Sequence, residues 1–189
     1  MKRGKRKREP YTSEEQWHLN YHDVFDLKIE LVPSSTWGLN ARIAVGKRLW
    51  DEVRYKVFRK ARQRCQICKA KPEPRELHCH EVWAYDDESK EQRLENLLAV
   101  CVECHDVIHF ARTRLVGDEE EAFRRFVKIN DILSLEAADM IRTVFKRAKK
   151  RSRIKWRVRI GHLKEYGINP IEIQNGEDKL LLKRSKLKI

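Results

Sequence analysis

Apolar and polar positions along this chain change period several times, and each change predicts an element. From Asp26 to Val32, DLKIELV alternates as a short strand does, and PSSTWG after it reads as a turn. GKRLWDEVRYKVFRKAR then places Leu49, Trp50, Val53, Val57 and Phe58 on one helical face. In the centre, ELHCHEVW predicts a strand, YDDESKEQRLEN a polar connection, LLAV a short second strand and ECHDVIHFARTRL a helix. Past Gly117, Asp118 and Glu121 have capping-box spacing ahead of a helix with Ala122, Phe123, Phe126 and Val127 on one face. Ser134 is placed to cap another helix, with Ala137, Ile141, Val144 and Phe145 facing inward. WRVRI alternates like a strand, and IEIQNGEDKLLLK reads as a hairpin around Asn175 and Gly176. The pattern predicts one α+β domain of helices and short strands, without internal repeats.

Charge narrows the partner. The 189 residues carry 42 Lys and Arg against 29 Asp and Glu, a net charge of +13. Such a surplus points to a polyanion, nucleic acid ahead of membrane. No apolar run approaches the length of a membrane span. The N-terminal MKRGKRKREP has no apolar stretch behind it to make a secretory signal, so the expected address is cytoplasmic. Residues 1–26 read as a basic, disordered arm, residues 27–167 as the folded domain and residues 168–189 as a basic hairpin or tail.

The five cysteines change the picture further. Cys65 and Cys68 form CQIC, and Cys101 and Cys104 form CVEC, with Cys79 alone between the pairs. Two intervening residues let a tight turn aim both sulfurs at one ion, and two such turns complete a tetrahedron. The pattern predicts a four-cysteine zinc site, closed and therefore structural, clipping the segment before residue 75 to the helix after residue 100. The histidines supply chemistry instead. His105 and His109 are one helical turn apart on one face, and His78 and His80 share one face of the expected strand. A zinc clip between strand and helix would bring these imidazoles into one cleft.

CQIC, LHCHEVWAYDDE and LENLLAVCVECHDVIH together resemble the HNH endonucleases, whose core is a ββα-metal motif. His80, Glu81, Trp83, Tyr85 and Asp86 match the HExWxYD signature of a phage and bacterial branch, and the likeness extends over roughly residues 27–167. The resemblance implies a nuclease acting on DNA, double-stranded DNA foremost, in a bacterial or phage-infected cell. It makes His80 the general base that activates water and Asn96 the residue that braces the loop and orients that base. It makes His105 and His109 ligands of a catalytic Mg2+, Mn2+ or other divalent ion. The family usually has Asp or His just before the base, where this chain has Cys79. The third ligand is therefore His78 or Cys79, or Cys79 is simply a small buried residue. Glu81, Asp86 and Asp87 read either as water-mediated helpers of the metal or as solvated turn residues, and Trp83 and Tyr85 as packing.

Three basic segments suit phosphate contacts: Lys2 to Arg8, the run from Lys146 to Arg159 and the C-terminal KLLLKRSKLKI. The middle run holds nine basic residues and no acid, with Lys146, Arg147, Lys149, Lys150, Arg151 and Arg153 its expected contacts. Two rival readings use the same surfaces: a non-catalytic zinc-stabilised nucleic-acid-binding module, and a component of a nucleoprotein assembly. No particular protein partner is implied.

Overall fold

The computed structural model describes residues 26–186, so the expected basic arm lies outside the described residues. Two short helices open the regular structure, α1 (Ala41–Val45) and α2 (Lys47–Lys60). The hairpin β1 (Leu77–Asp86) and β2 (Glu91–Cys101) follows. Next come α3 (Val102–Ile108), α4 (Phe110–Val116), α5 (Glu119–Asn130) and α6 (Ser134–Arg151). A short β3 (Arg157–Arg159) and α7 (Pro170–Lys186) complete the chain. The sheet order is β1-β2-β3, with β1 antiparallel and β3 parallel to β2.

Two apolar clusters meet at the hairpin. The first joins α1, α2 and α7 to the hairpin through Trp50, Val53, Phe58, Trp83, Leu97 and Leu180. The α2 face expected from its periodicity supplies Trp50, Val53, Val57 and Phe58 to it. The second gathers α3, α5 and α6 around the end of β2, with Val100, Val107, Phe126 and Met140 buried beside Cys65, Cys101 and Cys104. The hairpin therefore has a helical layer to each side, and its far end runs directly into α3.

Several expected elements differ. DLKIELV is extended but joins no strand. The amide of Glu30 donates to the carbonyl of Ile108 at 2.9 Å, and Leu27 exchanges hydrogen bonds with the side chain of Asn130. Its backbone is thus satisfied by a helix end and an amide instead of a ladder. The polar connection between the strands shrinks to residues 87–90, because β1 runs on to Asp86 and β2 begins at Glu91. Asp86 holds that turn, its Oδ1 accepting from the amides of Glu88 and Ser89. The expected helix after Cys101 is broken at His109, whose φ of −91° and ψ of 40° separate α3 from α4. Neither Asp118 nor Ser134 makes a side-chain cap; α6 starts at Ser134 itself.

The C-terminal hairpin is the clearest correction. Residues 170–186 form one helix, and Asn175 and Gly176 lie inside it. Ile173, Gly176 and Leu180 are its buried residues, at helical spacing. A Cβ at Gly176 would stand 3.0 Å from Ile160 Cδ1 and 3.3 Å from Ala44 Cβ. That glycine permits close approach of α7 to α1, and the Asn-Gly dipeptide makes no turn.

Candidate metal centres and histidine cleft

The cysteine site forms where three local structures converge. Cys65 and Cys68 lie in a knuckle after α2, tied to β2 because Gln66 donates its amide to Ala99 O at 2.8 Å and accepts from Ala99 N at 2.8 Å. Cys101 ends β2 and is the N-cap of α3, and Cys104 is one turn into that helix. The four Sγ atoms all lie within 4.8 Å of one another. The Cys68–Cys101 separation is 3.7 Å, close to the roughly 3.8 Å edge of a tetrahedron with bonds of about 2.3 Å. Four converged thiols of this geometry can hold a metal ion such as zinc. Thiol hydrogen bonds from Cys101 and Cys104 hold Cys65 well below the ordinary thiol value, while contacts with Cys104 and Cys65 push Cys101 up.

Arg125 was not foreseen from the sequence. Its Nη2 lies 3.5 Å from both Cys101 Sγ and Cys104 Sγ, and 3.9 Å from a Glu103 carboxylate oxygen. The guanidinium would offset the negative charge that thiolates holding an ion bring to one place. A basic residue midway along an amphipathic helix carries no sequence signal of that role.

The cysteine knuckle sets α3 across the same face of β1 that carries His78 and His80. Ring centroids are 4.4 Å apart for His105 and His109, 5.0 Å for His80 and His109, and 5.5 Å for His80 and His105. Ligand-capable atoms of His80, His105 and His109 all fall within 4.8 Å of one another. Burial, with the neighbouring imidazoles, depresses His105 to about 2 and His109 to about 4. Both rings are therefore neutral near pH 7, the form that coordinates a cation.

The third imidazole beside the helix pair is thus His80. His78 stands one step further out, its Nδ1 3.1 Å from His105 Nδ1. Cys79 points to the other side of β1 and packs against the first apolar cluster, where burial pushes its thiol up to about 12. Asn96 lies on β2 opposite Val82, beside the bulge between Val82 and Trp83, and its Oδ1 accepts the amide of Leu97 at 2.8 Å.

The side chain that bonds His80 comes from elsewhere. Glu30 Oε2 lies 3.3 Å from His80 Nε2, across fifty residues of sequence. His80 is 4% exposed, so this contact sits at the bottom of the cleft. Glu30 belongs to the extended segment before α1, on the polar side of an alternating stretch, and nothing in the local pattern marks it. Glu81, next to His80, lines the same cavity and accepts the amide of Arg42 at 3.3 Å in the first turn of α1.

The basic run lies on the second half of α6 and the residues after it. Lys146, Lys149, Lys150 and Arg153 are exposed there, with Arg147 and Arg151 partly buried. Arg151 is engaged within the fold: its guanidinium stacks on Tyr85 at 4.4 Å and pairs with Asp87 at 3.1 Å. Among the described residues no helix is long and apolar enough to cross a membrane. Comparison with protein-family models, with curated proteins and with solved structures finds no match for this chain.

Proposed function

We propose that this chain is a metal-dependent endonuclease of the HNH type, hydrolysing phosphodiester bonds in nucleic acid. The observation that carries this reading is the meeting of His80, His105 and His109 in one cleft, with Glu30 against His80. A hairpin followed at once by a helix, with imidazoles on both, is the order a ββα-metal core requires.

Glu30 accepts the Nε2 proton of His80, which fixes the tautomer and leaves the Nδ1 lone pair free as a base. His80 takes a proton from water as the water oxygen bonds to phosphorus. The bond from phosphorus to the 3′-oxygen breaks, leaving a 3′-hydroxyl once protonated and a 5′-phosphate. Neutral His105 and His109 would hold a divalent ion, which supplies charge neutralisation at the phosphate and the departing oxygen. Burial of His80 away from bulk water strengthens each of these interactions. The exposed lysines of α6 supply non-specific phosphate contacts.

A second arrangement is favoured by the 4.8 Å spread of the three imidazoles, in which His80 is the third ligand instead of the base. One experiment separates the two. Plasmid cleavage is measured on zinc-loaded protein with Mg2+, Mn2+ or Ni2+, for wild type and His80→Ala, alongside Mn2+ binding. A loss of about 10²- to 10⁴-fold in rate with Mn2+ affinity unchanged identifies the base. Loss of both identifies a ligand. Wild-type protein that binds DNA but cuts neither DNA nor RNA with any metal is a binding module.

A further inference from the structure

Two cavities meet at the histidine cleft. The inner one, about 340 Å³, has Trp37 at its lip and His80, His105 and His109 below. The outer one, about 750 Å³, opens between α2 and the start of β1, bordered by Arg54, Tyr55 and Arg75. Arg42, Trp50, Cys79 and His105 line both, so the two adjoin as a groove beside the imidazoles.

Each part of this groove carries an aromatic ring turned to solvent. Trp37 is 67% exposed yet held in place, its indole Nε1 donating to the Val32 carbonyl at 3.1 Å. Tyr55 is 55% exposed and stands edge-on to Phe58, with the Arg54 guanidinium 5.0 Å from its ring centroid. Rings this exposed add little to the core. Set in cavities lined by Arg42, Arg54 and Arg75, they have the make-up of base-stacking platforms.

We propose that the groove takes an unpaired stretch of DNA, threaded past His80 with one base on Trp37 and another on Tyr55. This rests on the nucleic-acid reading above and narrows it: the site works on single-stranded segments in preference to intact duplex. In a duplex the base faces cover one another, and a side chain reaches one only when it leaves the stack. The inner cavity has the volume of a small-ligand pocket, enough for about one nucleotide. His80 lies at its bottom, so the scissile phosphate must come down to it, as one flexible strand can and a rigid paired helix cannot.

The test is fluorescence anisotropy on zinc-loaded full-length protein, without added divalent ion, using a strand of about 20 nucleotides and its duplex. The single strand is expected to bind more tightly. Trp37→Ala weakens that binding by about five- to 150-fold and leaves duplex binding unchanged, while Trp37→Phe restores it. Tyr55→Ala acts in the same direction from the outer cavity. Equal or tighter duplex binding overturns the proposal, as does a Trp37→Ala effect that is absent or the same on both forms. Because binding is read without cleavage, the two readings fail separately. A Trp37-dependent strand preference in a protein that never cuts removes the nuclease and keeps the groove. Cleavage of duplex and strand at equal rates, indifferent to Trp37, does the reverse.

Discussion

Replacing Asn130 by alanine should loosen the segment that delivers Glu30 to the cleft. Asn130 is 6% exposed at the end of α5 and makes three hydrogen bonds. Its Oδ1 accepts the amide of Leu27 at 3.1 Å, and its Nδ2 donates to Leu27 O at 2.9 Å and Phe126 O at 3.1 Å. Leu27 is completely buried, so no water can replace the lost partner. Truncation orphans the buried amide and carbonyl of Leu27, at roughly 1–3 kcal/mol each, and loses the Phe126 bond, worth about 1 kcal/mol. A loss of about 3–7 kcal/mol is expected, a large part of the roughly 5–15 kcal/mol typical of a whole domain. Asn130→Asp keeps the acceptor but turns an anion toward two carbonyl oxygens, and should cost at least as much. Urea unfolding by linear extrapolation measures the loss. Hydrogen exchange at the amides of Leu27 and Glu30 reports whether opening is local. A destabilisation below about 1 kcal/mol, or an Asp variant as stable as wild type, would refute the reasoning.

Two further predictions concern the metal centre and the imidazoles. With zinc in the four-cysteine site, chelation or Cys101→Ser would expose the second apolar cluster and should cost more than about 5 kcal/mol, at least about 10 °C in Tm; a shift of only about 2–3 °C on that scale would show the knuckle to be dispensable. His109 is held at about 4 in the fold against roughly 6.5 unfolded, so the unfolded chain takes up its proton first on acidification. Stability of the protein without catalytic ion is then full above about pH 6.5 and falls toward pH 4, His109 alone accounting for on the order of 3 kcal/mol. Urea midpoints of His109→Gln should decline less over that window, and parallel curves for variant and wild type would count against the burial of neutral imidazole.

The parts of the site that were legible in the sequence are those whose residues announce their own chemistry. Two C-x2-C pairs converge because short spacing within each turn leaves only the long-range distance to be settled. His78 and His80 read correctly as one strand face, and His105 and His109 as one helix turn, since both periods are geometric. What stayed hidden depends on contacts made far along the chain. Glu30 looks like any acid in an alternating stretch until the carbonyl of Ile108 and the side chain of Asn130 fix its backbone. Asn175 and Gly176 carry a strong local turn signal, overridden by packing: the bare Cα of Gly176 is needed where α7 crosses Ala44. Arg125 is chosen by the charge of a site that only exists once folded.

The tie between Leu27 and Asn130 also has a consequence in time. The two residues are 103 positions apart, and a ribosome takes on the order of 5–20 s to make that interval. Until α5 has emerged, the segment bearing Glu30 can bond the Ile108 carbonyl but lacks the Asn130 amide that ties down Leu27. The last anchor of that segment therefore arrives late in synthesis, from a residue that takes no part in the chemistry of the cleft. A fragment of this chain ending before Asn130 would carry every cysteine and cleft histidine and still lack one of the anchors that bring Glu30 to His80.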